Sequence, residues 1–193
     1  HLAAAAELGL SLTLPQALAE IPAFIGGPDR DIALELHRRS GTARPVEWIQ
    51  ARMHDHYQML VADMSIAPRP GFLAFLVKAR AAGLCVAIGS VTPRTEALRL
   101  LRAAGIADLF DVLVFAEDVA RPKPAPDVYL ATAAQLDIAP HGQLVFEDSA
   151  RGVAAAVAAG SRAVGMPTIP ALAGRLYQAG ARAVYSSWDE VSL

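Results

Sequence analysis

Apolar positions change their spacing about a third of the way along the chain. Up to about residue 67 they recur every three or four places, the period of a helix face. The stretches "TLPQALAEIPAF", "DRDIALELHRRSG" and "PVEWIQARMHDHYQMLVADM" each carry such a stripe. In the third, Trp48, Ile49, Met53, Tyr57, Leu60 and Val61 share one side. Gly26, Gly27, Gly41 and Pro45 punctuate between them. From Pro68 onward, short apolar runs alternate with amphipathic ones. A helix is expected from Gly71 to Ala82, with Gly83 as its stop. "LCVAIGS", "DVLVFAE" and "QLVFED" read as strands, followed by helices in "TPRTEALRLLRAAG", "APDVYLATAAQLD" and "SARGVAAAVAAG". Thr92 is the expected N-cap of the first of these helices, with Pro93 at its first position and Gly105 past its end. Ser149 is the expected N-cap of the third. "RAVGMP" and "RAVYSS" read as later strands. Short apolar strands alternating with helices predict an α/β fold, a doubly wound parallel sheet covered on both faces. The expected domains are a helical one over 1–67 and an α/β core over 68–193. No repeat or low-complexity tract interrupts them.

Composition narrows the setting. Of 193 residues, 54% are hydrophobic and 19% charged, the balance of a folded globular chain. A net charge of −2 gives no general attraction to nucleic acid or an anionic membrane. The apolar runs are far shorter than a bilayer span, so neither nucleic acid nor membrane is an expected partner. The opening "HLAAAAELGL" has no basic n-region and no cleavage site, and reads as no signal peptide. Cys85 is the only cysteine, which excludes an internal disulfide and a cysteine-based metal cluster. Lying in "LCVAIG", it is expected to be a buried, inert thiol, and a reducing cytoplasm fits.

Ligands of parallel α/β folds bind beyond the carboxyl ends of the strands, so the residues just after each strand carry the candidate chemistry. They are Ser90 with Val91 and Thr92, Lys123 in "DVARPKPAPD", and Glu147 with Asp148. Lys123 is one of two lysines, beside 15 arginines, and Pro122, Pro124 and Pro126 stiffen its loop. Ser90 has no histidine near enough in the pattern to make it a nucleophile. The five histidines are His1, His37, His54, His56 and His141, and each belongs to the helical part or to the wrong rim. Ser90 is therefore expected to donate a hydrogen bond to an anion, helped by backbone N–H groups of the following helix. His54 and His56 lie two apart on a helix, point to different sides and read as a solvated face. Two adjacent acids at a buried strand's end repel each other and lose hydration. A divalent cation relieves both, and Mg²⁺ suits one or two carboxylates plus water and phosphate oxygens. Glu147 and Asp148 are thus the expected metal residues, and Ser90 and Lys123 the phosphate-binding and catalytic ones.

These residues resemble the haloacid dehalogenase superfamily, on the branch with β-phosphoglucomutase and sugar-phosphate phosphatases. "VAIGSVTPR" is similar to its second motif, "RPKPAPDVYL" to its third and "LVFEDSARGVAAAVAAG" to its fourth. The resemblance implies a Rossmann-like core with an α-helical cap. It implies Ser90 as a phosphate-binding hydroxyl, Lys123 pairing with phosphate and nucleophile, and Glu147 and Asp148 at Mg²⁺. Pro122 departs from the pattern, which has Gly before the lysine. A larger departure is the first motif, a strand ending in Asp-x-Asp, the first Asp being the nucleophile and the second the general acid/base. The sequence opens at His1 without it, and the family places that strand between those carrying Ser90 and Asp148. The 193 residues are therefore expected to be the remainder of a longer protein. The function expected of that protein is a Mg²⁺-dependent phosphatase of a small phosphorylated metabolite such as a sugar phosphate. It would work through an aspartyl-phosphate, as a monomer or weak homodimer. A phosphomutase shares every motif, and a non-catalytic Mg²⁺- and anion-binding module is the alternative if the nucleophile is absent. In the cap, Arg30 in "FIGGPDRD" and His1 are further candidates for binding substrate.

Overall fold

The computed structural model describes His1–Ser192, apart from the side chain of Asp63. It divides into two compact units, His1–Ser65 and the remainder from Ile66.

The first unit is helical: α1 (Leu2–Glu7), α2 (Leu14–Glu20), α3 (Asp29–Ser40) and α4 (Val46–Asp63). Thr13 and Gln16 cap α2 reciprocally, each side chain serving the other's backbone N–H. Gly41 ends α3 in the left-handed conformation, φ 61°. The core gathers Ala5, Ala17, Ile21, Ile32, Leu36, Ile49 and Met53. The expected stripe on α4 is core only in its first half. Ile49 and Met53 are buried, whereas Tyr57 and Leu60 are 40% and 64% exposed. The cause is length: α4 has 18 residues and its partner α3 only 12.

The second unit is α/β: α5 (Phe72–Ala81), β1 (Ala87–Gly89), α6 (Arg94–Ala103), β2 (Val112–Val114), α7 (Asp127–Gln135), β3 (Leu144–Glu147), α8 (Ala150–Ala158), β4 (Arg162–Gly165), α9 (Ala173–Gln178) and β5 (Ala183–Val184). Every pairing is parallel, and the strands form two sheets, β1–β2 and β3–β4–β5. Helix α7 packs on the first sheet and α8 on β3 and β4, and the two helices touch each other. Val114, Val128, Val145, Val153, Ala155 and Leu176 form the core between them. This is the Rossmann-like α/β class expected.

Hydrogen bonds show which strand edges are used. Asp111 N–H donates to Val86 O and Ser90 N–H to Val114 O. Residues 86, 88 and 90 thus address β2, and alternation turns the peptide groups of Ala87 and Gly89 to the other side. Likewise Arg162 N–H donates to Gln143 O and Met166 N–H to Glu147 O, so Leu144 and Phe146 address the side away from β4. Among the described residues no strand pairs with either free edge.

Local expectations differ from the structure at several points. Cys85 is exposed, not buried. The strand begins only at Ala87, leaving Leu84 and Cys85 in the loop after α5. Helix α6 starts at Arg94 with Pro93 as N-cap, not with Thr92. Thr92 N–H instead donates to Ser90 Oγ at 3.1 Å. The Glu117 carboxylate, arriving from the loop after β2, accepts from Arg94 N–H with both oxygens at 3.0 Å. A cap from a distant segment displaces the local one. Finally, α9 was not expected between the last two strands.

Candidate active site

Strand β3 ends at Glu147, and Ser149 caps α8 immediately, its Oγ accepting from Gly152 N–H at 3.0 Å. This tight strand-to-helix junction fixes Glu147 and Asp148 at the carboxyl end of the sheet. Glu147 is 8% exposed and turned inward. Its Oε1 accepts from Lys123 Nζ and from the Tyr129 hydroxyl, and Ser149 Oγ donates to Oε2 at 3.3 Å. The first turn of α8 lies against this carboxylate, so a Cβ at position 152 would collide with it. Only glycine allows the approach.

Lys123 reaches the same point from the loop between β2 and α7. Its Nζ donates to Gly89 O at 3.0 Å, at the carboxyl end of β1. Its ammonium lies 4.9 Å from the centre of the Tyr129 ring. The loop is held from three sides. Pro122, Pro124 and Pro126 restrict it, and the Lys123–Pro124 peptide is cis. Arg121 pairs with Asp127 at 2.9 Å, and Arg151 of α8 donates to Lys123 O. Lys123 and Glu147 form a buried pair, with side chains 12% and 8% exposed. Removing one partner of such a pair strands the other charge.

Asp148 has the opposite surroundings. It stands at the mouth of an open cleft of about 300 Å³ lined also by Arg69, Lys123, Phe146, Glu147, Met166, Thr168 and Trp188. Partial enclosure and the Glu147 charge push its carboxyl above the usual aspartate range, against the pull of Lys123 and Arg69. It forms no ion pair with any described residue. Burial, and then the Glu147 charge, raise the Tyr129 hydroxyl far above its ordinary value, so it stays a donor.

The structure therefore brings Lys123, Glu147 and Asp148 together. Ser90, Val91 and Thr92 follow Gly89, the residue whose carbonyl holds Lys123, but do not line the cleft. Ser90 Oγ accepts from Thr92 N–H, and the first N–H of α6 is already taken by Glu117. His1 and Arg30 lie in the helical unit. His1 pairs with Asp29 at 3.7 Å and meets the Phe24 ring edge-on, and Arg30 pairs with Glu47 at 3.4 Å.

Several lining residues were not expected. Arg69 donates to Met166 O at 2.7 Å, Pro167 O at 3.3 Å and Ser186 O at 3.1 Å, tying the ends of β4 and β5 together. All three acceptors are neutral, so its charge stays available to the cleft. Trp188 packs with Phe75 and Phe146, ring centres 4.9 Å from each, and lines the cleft. The usable signal for Tyr129 was a hydroxyl-bearing aromatic in the first turn of an otherwise small-residue helix. Nothing local marks Arg69.

Comparisons with known proteins bear on the family and the fold. A family model described as haloacid dehalogenase-like hydrolase matches residues 3–166. CbbY of Rhodobacter capsulatus is 34% identical over 150 residues, 74% of this chain and 65% of that protein. The phosphorylated carbohydrates phosphatase of Thermotoga maritima is 31% identical over 137 residues, 71% of this chain and 63% of that protein. The chain thus spans 63–65% of the length of these two relatives. A crystal structure of a HAD family hydrolase from Deinococcus radiodurans R1, with bound phosphate and sodium, superposes with a TM-score of 0.69. Its identity is 30%, over 97% of this chain and 82% of that one. A family match over residues 3–166, well more than half its length, means that the chain belongs to the haloacid dehalogenase-like hydrolases.

Proposed function

We propose that the protein carrying this chain is a Mg²⁺-dependent phosphatase of a small phosphorylated metabolite, a sugar phosphate foremost. The observation that carries the reading is one cleft at the carboxyl ends of parallel strands that holds a fixed ammonium, Lys123, beside an unpaired carboxylate, Asp148. A phosphoryl group needs charge neutralisation from more than one side. Lys123 supplies one side. The relatives' names support the substrate class, since one is a phosphatase of phosphorylated carbohydrates.

The donor set fits a hard divalent cation. Asp148 offers oxygen ligands without a competing ion pair, and relief of its repulsion with Glu147 favours a cation there. No group of three or more candidate ligands occurs among the described residues, so water and phosphate oxygens would complete the shell, as Mg²⁺ prefers. Asp148 would hold the ion, with Glu147 beside it. When bound, the cation neutralises phosphate charge. Lys123 orients the phosphoryl oxygens, and the proline-held loop keeps its ammonium aimed. In this reading the nucleophile is an aspartate on a further parallel strand seated between β1 and β3. The peptide groups of Ala87, Leu144 and Phe146, which pair with no described strand, support that placement, while Gly89 O on the same edge is held by Lys123. The helical unit takes the role of the family's cap.

The test is phosphate release from a panel of sugar phosphates by the purified gene product. Mg²⁺-dependent release, abolished by EDTA and restored by Mg²⁺, is the expected result. Isomerised sugar phosphate without release would make the protein a phosphomutase. Mg²⁺ and phosphate binding without turnover would make it a binding module.

A further inference from the structure

We propose that Tyr129 is a positioning residue for Lys123, acting through a shared oxygen of Glu147 and through its ring face. The role rests on the phosphatase reading for its catalytic meaning, but the contacts stand by themselves.

Glu147 Oε1 accepts two donors at once, Lys123 Nζ and the Tyr129 hydroxyl, and Oε2 accepts from Ser149 Oγ. The carboxylate cannot swing away, because α8 comes so close that no Cβ fits at Gly152. Tyr129 is itself 4% exposed and fixed in the core among Val128, Val145 and Val153. Its ring also approaches the ammonium, 4.9 Å from centre to Nζ. One side chain thus does two things to Lys123. The ring supports the cation on one side. The hydroxyl draws on the same carboxylate oxygen, so Glu147 gives less of its charge to Lys123 than it would alone. Of the three N–H groups of Lys123, Gly89 O and Glu147 Oε1 take two. The third is left for the cleft that Lys123 lines. A phenyl ring in place of tyrosine would keep the support and lose the sharing, leaving Glu147 to pair with Lys123 alone.

The chain is well suited to a direct test, because Lys78 and Lys123 are its only lysines. Lysine labelled with ¹⁵N at Nζ gives an ammonium signal for each of them, assigned by Lys78→Arg and Lys123→Arg, and Lys78, exposed on α5, is the internal reference. In Tyr129→Phe the Lys123 signal is expected to shift and its protons to exchange severalfold faster with water, while Lys78 stays put. Tyr129→Leu should in addition remove the ring-current displacement of the Lys123 protons. An unmoved Lys123 signal in folded Tyr129→Phe overturns the proposal. Should that variant not fold, global 3-fluorotyrosine makes the hydroxyl a stronger donor at almost unchanged volume. It must move Lys123 and not Lys78, or the proposal fails. Kinetics form the second arm. Tyr129→Phe should lower kcat roughly tenfold with little change in KM, the pattern of an interaction realised in the transition state. A change in KM alone would overturn the positioning role. If no activity exists to measure, the phosphatase reading falls, while the lysine signals still decide the clamp.

Discussion

At the scale of single residues, the site separates two acids that stand side by side in the sequence. Glu147 is saturated by donors and holds Lys123, whereas Asp148 is open to the cleft. Their substitutions should therefore differ. Asp148→Asn is expected to abolish Mg²⁺-dependent turnover and leave urea stability equal or higher, because a crowded charge is removed. Undiminished activity at low Mg²⁺ would contradict it. Lys123→Ala should lower kcat/KM by ~10²-fold or more, about 3 kcal/mol. Lys123→Arg should recover little, since a planar fork does not replace a compact ammonium between Gly89 O and Glu147. Lys78→Ala, on exposed α5, should change the rate by less than about twofold. Gly152→Ala should cost roughly 1–3 kcal/mol by overpacking against the Glu147 carboxylate, read as a lowered urea midpoint. Lys123, Glu147 and Asp148 were legible as candidates because chemistry at a strand's carboxyl end follows from strand and helix periodicity alone. What distinguishes Glu147 from Asp148 was not. It depends on Tyr129 and Gly152 approaching from two helices, which no local pattern encodes.

At the scale of elements, period and punctuation placed each expected strand and helix, while their ends were set elsewhere. Helix α6 shows why: Glu117 caps it from across the fold, so Thr92 is released to Ser90. Helix α4 outruns α3, and its apolar stripe continues past the core it was taken to mark. Acid sensitivity belongs to this scale too. Glu7 of α1 takes Arg52 and His56 of α4 and is held near pH 2, well below 4.5. Glu35 of α3 is held there by Arg38 and Arg39. A carboxyl lowered in the folded state favours folding above its unfolded value, and that contribution is lost as pH falls. The helical unit should thus keep its stability above about pH 4.5 and lose it progressively toward pH 2. Trp48 fluorescence across a urea series at each pH would report it, since the chain's other tryptophan, Trp188, is in the α/β unit. Glu7→Gln with Glu35→Gln should flatten the dependence; an unchanged pH profile in that double variant would remove these carboxylates as the cause.

At the scale of the whole molecule, the notable feature is a parallel sheet in two parts. Peptide groups left without partners in a protein interior cost on the order of 1–3 kcal/mol each, so the edges at β1 and β3 favour any strand that can pair with both. The 193 residues alone are expected to associate as concentration rises, by borrowing strands between copies, and size-exclusion chromatography with light scattering would register it. A stable, cooperatively unfolding monomer would contradict this. That the strands run parallel was readable from their alternation with helices. The division of the sheet was not readable from the pattern, because it depends on which edges meet.

The lone thiol offers something quite different. Cys85 is exposed and precedes β1, whose other end carries the Gly89 carbonyl that Lys123 grips. Four residues of chain separate the two, which at full extension is on the order of 13 Å. A maleimide dye would therefore label the α/β unit once and stoichiometrically, on the rim away from the cleft. Its emission could report strand docking or phosphate binding without touching a reacting group. The same accessibility means that preparations stored without reductant should accumulate a disulfide-linked dimer with the cleft chemistry intact.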